Sequence, residues 1–364
     1  MSYEMKIALE KEFFSKYEKI FVKYGDLTGT IFKYDNEIEG VKFQNNRGFV
    51  IVLPFKGQQI WDAVFDKRRL KMKSMFPKPR NVSNFLNTYG AFMMHCGALR
   101  MGCPSPEDTH PLHGELPYAD YDKAEIILGE NEKGKYIGIT GLFEYNAAFS
   151  FNYYAKPIVR IYENSAVMDV SMEIENISNY PMELMYMCHV NFLPVDNGKI
   201  IQSVNWNEEG IKVRDTVPQH VKSSKKYLEF IDELKDKPEL TQIINPDHDF
   251  NQEIVFFIKK AKVDSNDLAH FMQVHPDDSA DYVSYKPKEF DHSTRWIVRN
   301  KDLEALGLIL PATADAEGYI SEKRKGNVKE IPGKSSKIFE IHTGYLNKEE
   351  TKQMRNHINS ILNI

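Results

Sequence analysis

The feature that most constrains this chain is strict two-residue alternation. In AVMDVSMEIEN, residues 166–176, Met168, Val170, Met172 and Ile174 fall on one side, with Asp169, Ser171, Glu173 and Glu175 on the other. Side chains of an extended chain point alternately to opposite faces, so this pattern builds a strand with one buried and one wetted face. Shorter runs of the same character include GFVIVLP, IWDAVF, YIGITGLF, PIVRIY, EIVFFI, LGLIL and KIFEIH, and turn clusters such as NISNYP and VDNGK lie between runs. Many strands in series without alternating helices predict an all-β, antiparallel sandwich and not a parallel α/β sheet. No repeat, low-complexity linker or break in composition marks a boundary, so one domain over residues 1–364 is expected.

Helical spacing is legible in few places. NKEETKQMRNHINSILNI offers Asn347 as an N-cap, acids in the first turn, and Met354, Ile358, Ile361 and Leu362 along one stripe. SSKKYLEFIDELKDKPEL reads as a short surface helix in an insertion, and YEMKIALEKEFFSKY fits either a helix or a segment running on into a strand.

Apolar residues at 42% and aromatics at 12% suffice for a large core. The formal charge of −5, with acids and bases interspersed, lacks the basic surplus that nucleic-acid binding requires. Three cysteines, Cys96, Cys103 and Cys188, are too few and too odd in number for a disulfide framework and suit a reducing compartment. Glu4 and Glu10 interrupt what would be a signal core, and no apolar run is long enough to span a bilayer, so a cytoplasmic protein without a membrane partner is expected.

Candidate chemistry gathers in two stretches. HPLHGELPYADYD, residues 110–122, sets His113 before Gly114 at a corner boxed by prolines, where a helix interior is excluded. In MELMYMCHVNFLP, taken as a strand, Leu184, Tyr186, Cys188, Val190 and Phe192 share one face, and Met185, Met187, His189 and Asn191 share the other. From the strand alone, His189 reads as a structural histidine more readily than as a ligand. His95, Cys96, Cys103, His110 and His113 invite a metal reading. The cysteines are seven apart, without the tight pairing of structural zinc sites, so no metal is expected. Trp296, in TRWIVR, reads as a packed aromatic more readily than as a platform for a sugar.

Taken in order, several segments resemble the aldose 1-epimerase, or galactose mutarotase-like, superfamily. RGFVIVLPFKGQQIWDAVFD is similar to its early hairpin with a Gly-Gln step. GALRMGCPSPEDTHPLHGE resembles the loop that delivers a first histidine in a His-Gly pair, and IENISNYPMELMYMCHVNF the strand pair that carries a second, in a His-x-Asn-Phe setting. FDHSTRWIVRNKDLEALGLILPATADAEGY and IPGKSSKIFEIHTGYL resemble its last strands, so the likeness runs over roughly residues 38–346.

The resemblance implies a β-supersandwich that interconverts sugar anomers by acid–base catalysis, with no cofactor. It implies His189 as general acid, His113 at the ring oxygen, and Arg100 and Asn191 as sugar contacts, beside which Trp296 is a candidate sugar contact on its residue type alone. HGELP lacks the arginine of phosphate-handling relatives, which favours a neutral sugar. The family's catalytic glutamate falls on Leu310, which cannot accept a proton, so either another carboxylate does the work, with Glu317 and the sugar-side Asp249 the first candidates, or the chain binds sugar without efficient turnover. An epimerase-like isomerase, a sugar-binding protein that lacks efficient turnover, and a structural protein are the readings carried forward. The expected partner is a small-molecule sugar, and monomer and homodimer both stay open.

Overall fold

The computed structural model describes residues 3–214, 216, 223–248, 250–251 and 253–363. Two large antiparallel sheets dominate it. The nine-stranded sheet runs from the edge strand Tyr3–Leu9 through the meander Lys123–Asn131, Gly134–Asn146, Asn152–Tyr162 and Val167–Asn176, then through Ser335–Leu346, Ala280–Tyr285 and Ala269–Val274 to Lys199–Gln202. The twelve-stranded sheet has Ile211–Val213, Ile254–Ile258, His292–Arg299 and Glu304–Ala312 in its first part. It continues through Met187–Val190, Met93–Cys96 and Ile60–Phe65 to the N-terminal strands.

The alternation seen in the sequence closes the space between them. Met168, Val170, Met172 and Ile174 are at most 2% exposed, while the acids between them stay half-exposed. One apolar cluster draws Ile126, Ile137, Val159 and Ile341 from the first sheet and Val41, Val50, Val190 and Phe256 from the second. At roughly 25 cal/mol per Å² of apolar area removed from water, this shared layer is the main stabilising term of the sandwich. The other face of the twelve-stranded sheet carries a second cluster containing Trp61, Met94, Met187, Val255, Trp296 and Leu310. Its central strands, Met93–Cys96, Met187–Val190 and Ile254–Ile258 among them, are therefore buried on both faces, and Ile254–Ile258 reads as a continuous apolar run for that reason.

Three α-helices occur among the described residues. Lys225–Asp236 is capped by Ser224, whose side chain accepts the Tyr227 N–H. Lys348–Leu362 begins at a capping box: Asn347 accepts the N–H groups of Glu349 and Glu350, and the Glu350 carboxylate accepts the Asn347 N–H. Its Ile358 packs on Met272, Tyr282 and Leu346, covering the outer face of the nine-stranded sheet. Tyr319–Arg324 was not legible in the sequence, because six residues give no periodicity to read. At the N-terminus the strand alternative holds: Tyr3–Leu9 pairs along its length with Ala124–Glu130, an edge that supplies the hydrogen bonds a helix would have made internally.

The stretch 182–194 differs from one continuous strand. Met182–Leu184 pairs with Lys329–Ile331 in a separate ribbon, whereas Met187–Val190 pairs with Met93–Cys96. Between them the chain changes partners, with Met185 N–H donating to Ala98 and Tyr186 N–H to the Thr313 hydroxyl. The face assignments survive the break. Leu184, Tyr186, Cys188, Val190 and Phe192 lie in the layer between the sheets, and Met185 and Met187 lie in the cluster on the opposite face. No helix among the described residues is long and apolar enough to cross a membrane.

Candidate active site

The His113–Gly114 corner is held from both sides. His113 has φ 61° and Gly114 φ 81°, conformations that a prolyl-boxed turn can impose only if other contacts hold them. His113 N–H donates to the Gly102 carbonyl at 3.0 Å, and its own carbonyl accepts the Gly97 N–H at 2.9 Å. A Cβ on Gly114 would stand 2.0 Å from the Arg100 carbonyl oxygen, so only glycine fits there. Glu115 fastens the same loop: one carboxylate oxygen accepts the N–H groups of Ala98 and Leu99 and the Tyr153 hydroxyl.

This corner and the strand Met187–Val190 bring the two histidines together. The His113 and His189 rings stand edge to face, centroids 5.1 Å apart. Phe85 packs on His113 at 4.6 Å, and Trp296 and Tyr89 each lie 5.7 Å from His189. These groups, with Leu310 and Val255, line a cavity of about 240 Å³ on the twelve-stranded sheet, a little below the usual range of roughly 300–1,000 Å³ for ligand sites. Leu310, 1% exposed, makes one wall apolar.

Among the described residues, the carboxylate lining the cavity is Glu253, at the head of the strand read as EIVFFI. One of its oxygens accepts from Arg214 at 2.6 Å, the other from the Trp296 indole N–H at 2.8 Å. Arg214 also lines the cavity, fixed by its backbone N–H to Val255 at 2.7 Å. The sequence held one signal for Glu253, an acid opening a strand that is otherwise wholly apolar.

Burial pushes the His189 imidazole down to about 4, against the opposing influence of Asn191 and the Glu253 charge, so its resting form at neutral pH is uncharged. Its Nδ1 has no hydrogen-bond partner among the described residues. Burial likewise drives the Tyr89 hydroxyl well above its usual range and the Cys103 thiol up to about 11, so both stay protonated.

The remaining expected residues divide. Trp296 lines the cavity and orients Glu253. Asn191 is fully buried behind the wall, its side chain accepting the Tyr89 hydroxyl at 2.9 Å and donating to the Ala91 carbonyl, so it positions Tyr89 and does not reach the cavity. Arg100 is spent elsewhere: it stacks on the Tyr319 ring at 3.5 Å and pairs with Glu183 at 3.0 Å, outside the cavity wall. Glu317 follows the lining residue Ala316, but its carboxylate is engaged by Lys325 and the Thr216 hydroxyl. The substitute base expected there has a better-placed rival in Glu253. Asp249 lies outside the described residues. Of the five groups in the metal reading, His95 faces the opposite side, its Nδ1 hydrogen-bonded to Tyr186 at 2.7 Å. His110 Nδ1 is 2.8 Å from the Pro111 carbonyl, and no cluster of metal-ligating groups forms from these five among the described residues.

Residues 38–344 match the family described as a domain of unknown function, DUF4432. Among solved structures, the chain is similar to a candidate aldose 1-epimerase from Klebsiella pneumoniae, at 16% identity, covering 99% of this chain and 96% of that one with a TM-score of 0.82. A galactose mutarotase-like protein from Clostridium acetobutylicum is 13% identical, with 89% and 100% covered and a TM-score of 0.58. Another from Lactobacillus casei is 11% identical, with 84% and 99% covered and a TM-score of 0.51. At these identities the likeness carries the fold, which is galactose mutarotase-like. No curated protein matches the sequence.

Proposed function

This chain belongs to the DUF4432 family, and from that premise and its galactose mutarotase-like fold we propose that it is an aldose 1-epimerase-like isomerase acting on a free monosaccharide. The observation that carries this reading is the convergence of His113, His189 and the ion-paired Glu253 in one small cavity walled by Trp296 and Leu310. Anomer exchange needs one group to take the proton of the anomeric hydroxyl and another to supply a proton to the ring oxygen. Glu253, paired with Arg214, takes the first. His189 in its protonated form supplies the second as the bond between the anomeric carbon and the ring oxygen breaks. Rotation about the C1–C2 bond and the reverse transfers then close the other anomer. His113 stands beside His189 to bind the ring-oxygen region, and the Trp296 ring offers an apolar face to the sugar's C–H groups.

The acid carries a constraint. With an imidazole near 4 in the free protein, the protonated form of His189 is scarce at pH 7, so turnover should rise as pH falls from 8 towards 5. A panel of free aldoses followed by saturation-exchange NMR between anomers tests both points. Exchange above the buffer rate is expected, increasing over that range, and Glu253→Gln should lower it by about 10²–10⁴-fold. Exchange that survives Glu253→Gln undiminished removes Glu253 as the base.

The same residues favour a second reading, a sugar-binding protein. Both Glu253 oxygens already accept hydrogen bonds, from Arg214 and from the Trp296 indole, and an apolar Leu310 occupies the position that the family resemblance assigns to the glutamate. Saturable binding of a sugar with no exchange above buffer would select it.

A further inference from the structure

A second group of ligating side chains lies on the other sheet, where the C-terminal helix Lys348–Leu362 crosses the outer face. Asp264 comes from a turn, His270 from the strand Ala269–Val274 and His357 from the helix. We propose that Asp264, His270 and His357 form a zinc-class divalent metal site, separate from the sugar cavity, that ties the C-terminal helix to the nine-stranded sheet.

The geometry points to a metal by its edges. One ligand atom from each residue lies within 4.8 Å of the others. Asp264 Oδ2 is 3.1 Å from His270 Nε2 and 3.2 Å from His357 Nε2. Ligand arms of about 2.0–2.1 Å in a tetrahedron place neighbouring ligand atoms about 3.3 Å apart, so two of the three edges already have nearly the required length. Two imidazoles and one carboxylate oxygen are a ligand set for zinc that leaves a fourth position open. His357 is 41% exposed along its side chain, which provides an entry path, whereas His270 and Asp264 are at most 7% exposed.

The outer shell is also built. Asp264 Oδ1 accepts the N–H groups of Asn266 at 2.8 Å and Leu268 at 3.0 Å, which turns Oδ2 towards the imidazoles. His270 Nδ1 lies 2.8 Å from the Tyr282 hydroxyl, so Nδ1–H can donate there while Nε2 keeps its lone pair for an ion. Ordinary helix docking needs only the apolar contacts of Ile358. It does not require two imidazole nitrogens converging on one carboxylate oxygen from three separate elements.

The test uses the full-length, untagged chain, stripped with EDTA and titrated with zinc chloride by calorimetry, with cobalt(II) absorption as a second readout of tetrahedral ligation. One equivalent of zinc per chain is expected, with a rise in melting temperature on loading. His357→Gln should weaken binding by more than about 100-fold, beyond the 10–100-fold typical of an outer-shell loss, and Tyr282→Phe by about 10-fold. Circular dichroism of metal-free His357→Gln checks that this part-exposed position tolerates the change. No saturable uptake by the wild-type chain overturns the proposal. So does wild-type affinity in both His357→Gln and Asp264→Asn, which would place the zinc on other histidines. Loss of uptake in His189→Ala would move the ion to the sugar cavity and overturn it equally.

Discussion

His95 and His189 sit on adjacent, directly paired strands, yet they have opposite surroundings. Register pairs Cys188 with His95 and Met94 with His189, so the two imidazoles point to opposite faces of one sheet. His95 enters the layer between the sheets, where Tyr186 bonds its Nδ1 and also approaches Cys188 Sγ at 3.3 Å. His189 enters the cavity among Trp296, Tyr89, Phe85 and His113. Burial keeps both uncharged, with His95 held down at about 3 and His189 at about 4. The lesson is that a depressed histidine does not mark a site. What separates the two is the company on each face: a tyrosine and packed apolar groups on one, a second imidazole and a carboxylate on the other.

The sharpest way to break this comparison is on the cavity side. His189→Ala should reduce anomer exchange by about 10²–10⁴-fold while the chain stays folded, as followed by NMR exchange and circular dichroism. Full activity in that variant would make His189 as structural as His95. The converse test removes the inner partner. Tyr186→Ala should cost about 3–5 kcal/mol in denaturant unfolding, because a fully buried ring packed on Phe339 and Phe290 leaves a cavity. Sugar affinity of the folded fraction should be unchanged. If affinity collapsed in step with stability, the two faces would not be independent.

A third measurement treats the pair together. Both folded-state values lie below the ordinary histidine value of about 6.5, so the unfolded chain binds more protons. The stability each neutral imidazole contributes is present above that value and is lost as pH falls towards 4 for His189 and 3 for His95. The slope should approach about 1.4 kcal/mol per pH unit for each. Urea unfolding at pH 7, 6 and 5 reads it, and His95→Gln and His189→Gln should each flatten the curve. An unchanged slope in both variants would assign the acid sensitivity to other groups. The smallest effect belongs to Tyr186→Phe, about 1–2 kcal/mol, from leaving the buried His95 Nδ1 without its partner. A double-mutant cycle with His95→Leu should return most of that energy as coupling.

Much of the fold was legible because alternation is a local property. The residues 168, 170, 172 and 174 carry their burial in their spacing, and the face assignment along 182–192 held even where the strand broke, since both halves kept the same two sides. The capped helix at Asn347 was legible for the same reason, as caps and stripes act within a few residues.

The rest depends on which segments meet. Nothing within EIVFFI tells that Arg214 and Trp296 will converge on Glu253, 39 and 43 residues away along the chain. Arg100 looks like a pocket residue until Tyr319 and Glu183, both remote in sequence, claim its guanidinium. Likewise Asp264, His270 and His357 have no motif spacing, because strand and helix bring them together only after packing. Backbone periodicity records which way a side chain points relative to its neighbours. It does not record which partner that side chain will find, and at a site of charges and hydrogen bonds the partner sets the chemistry.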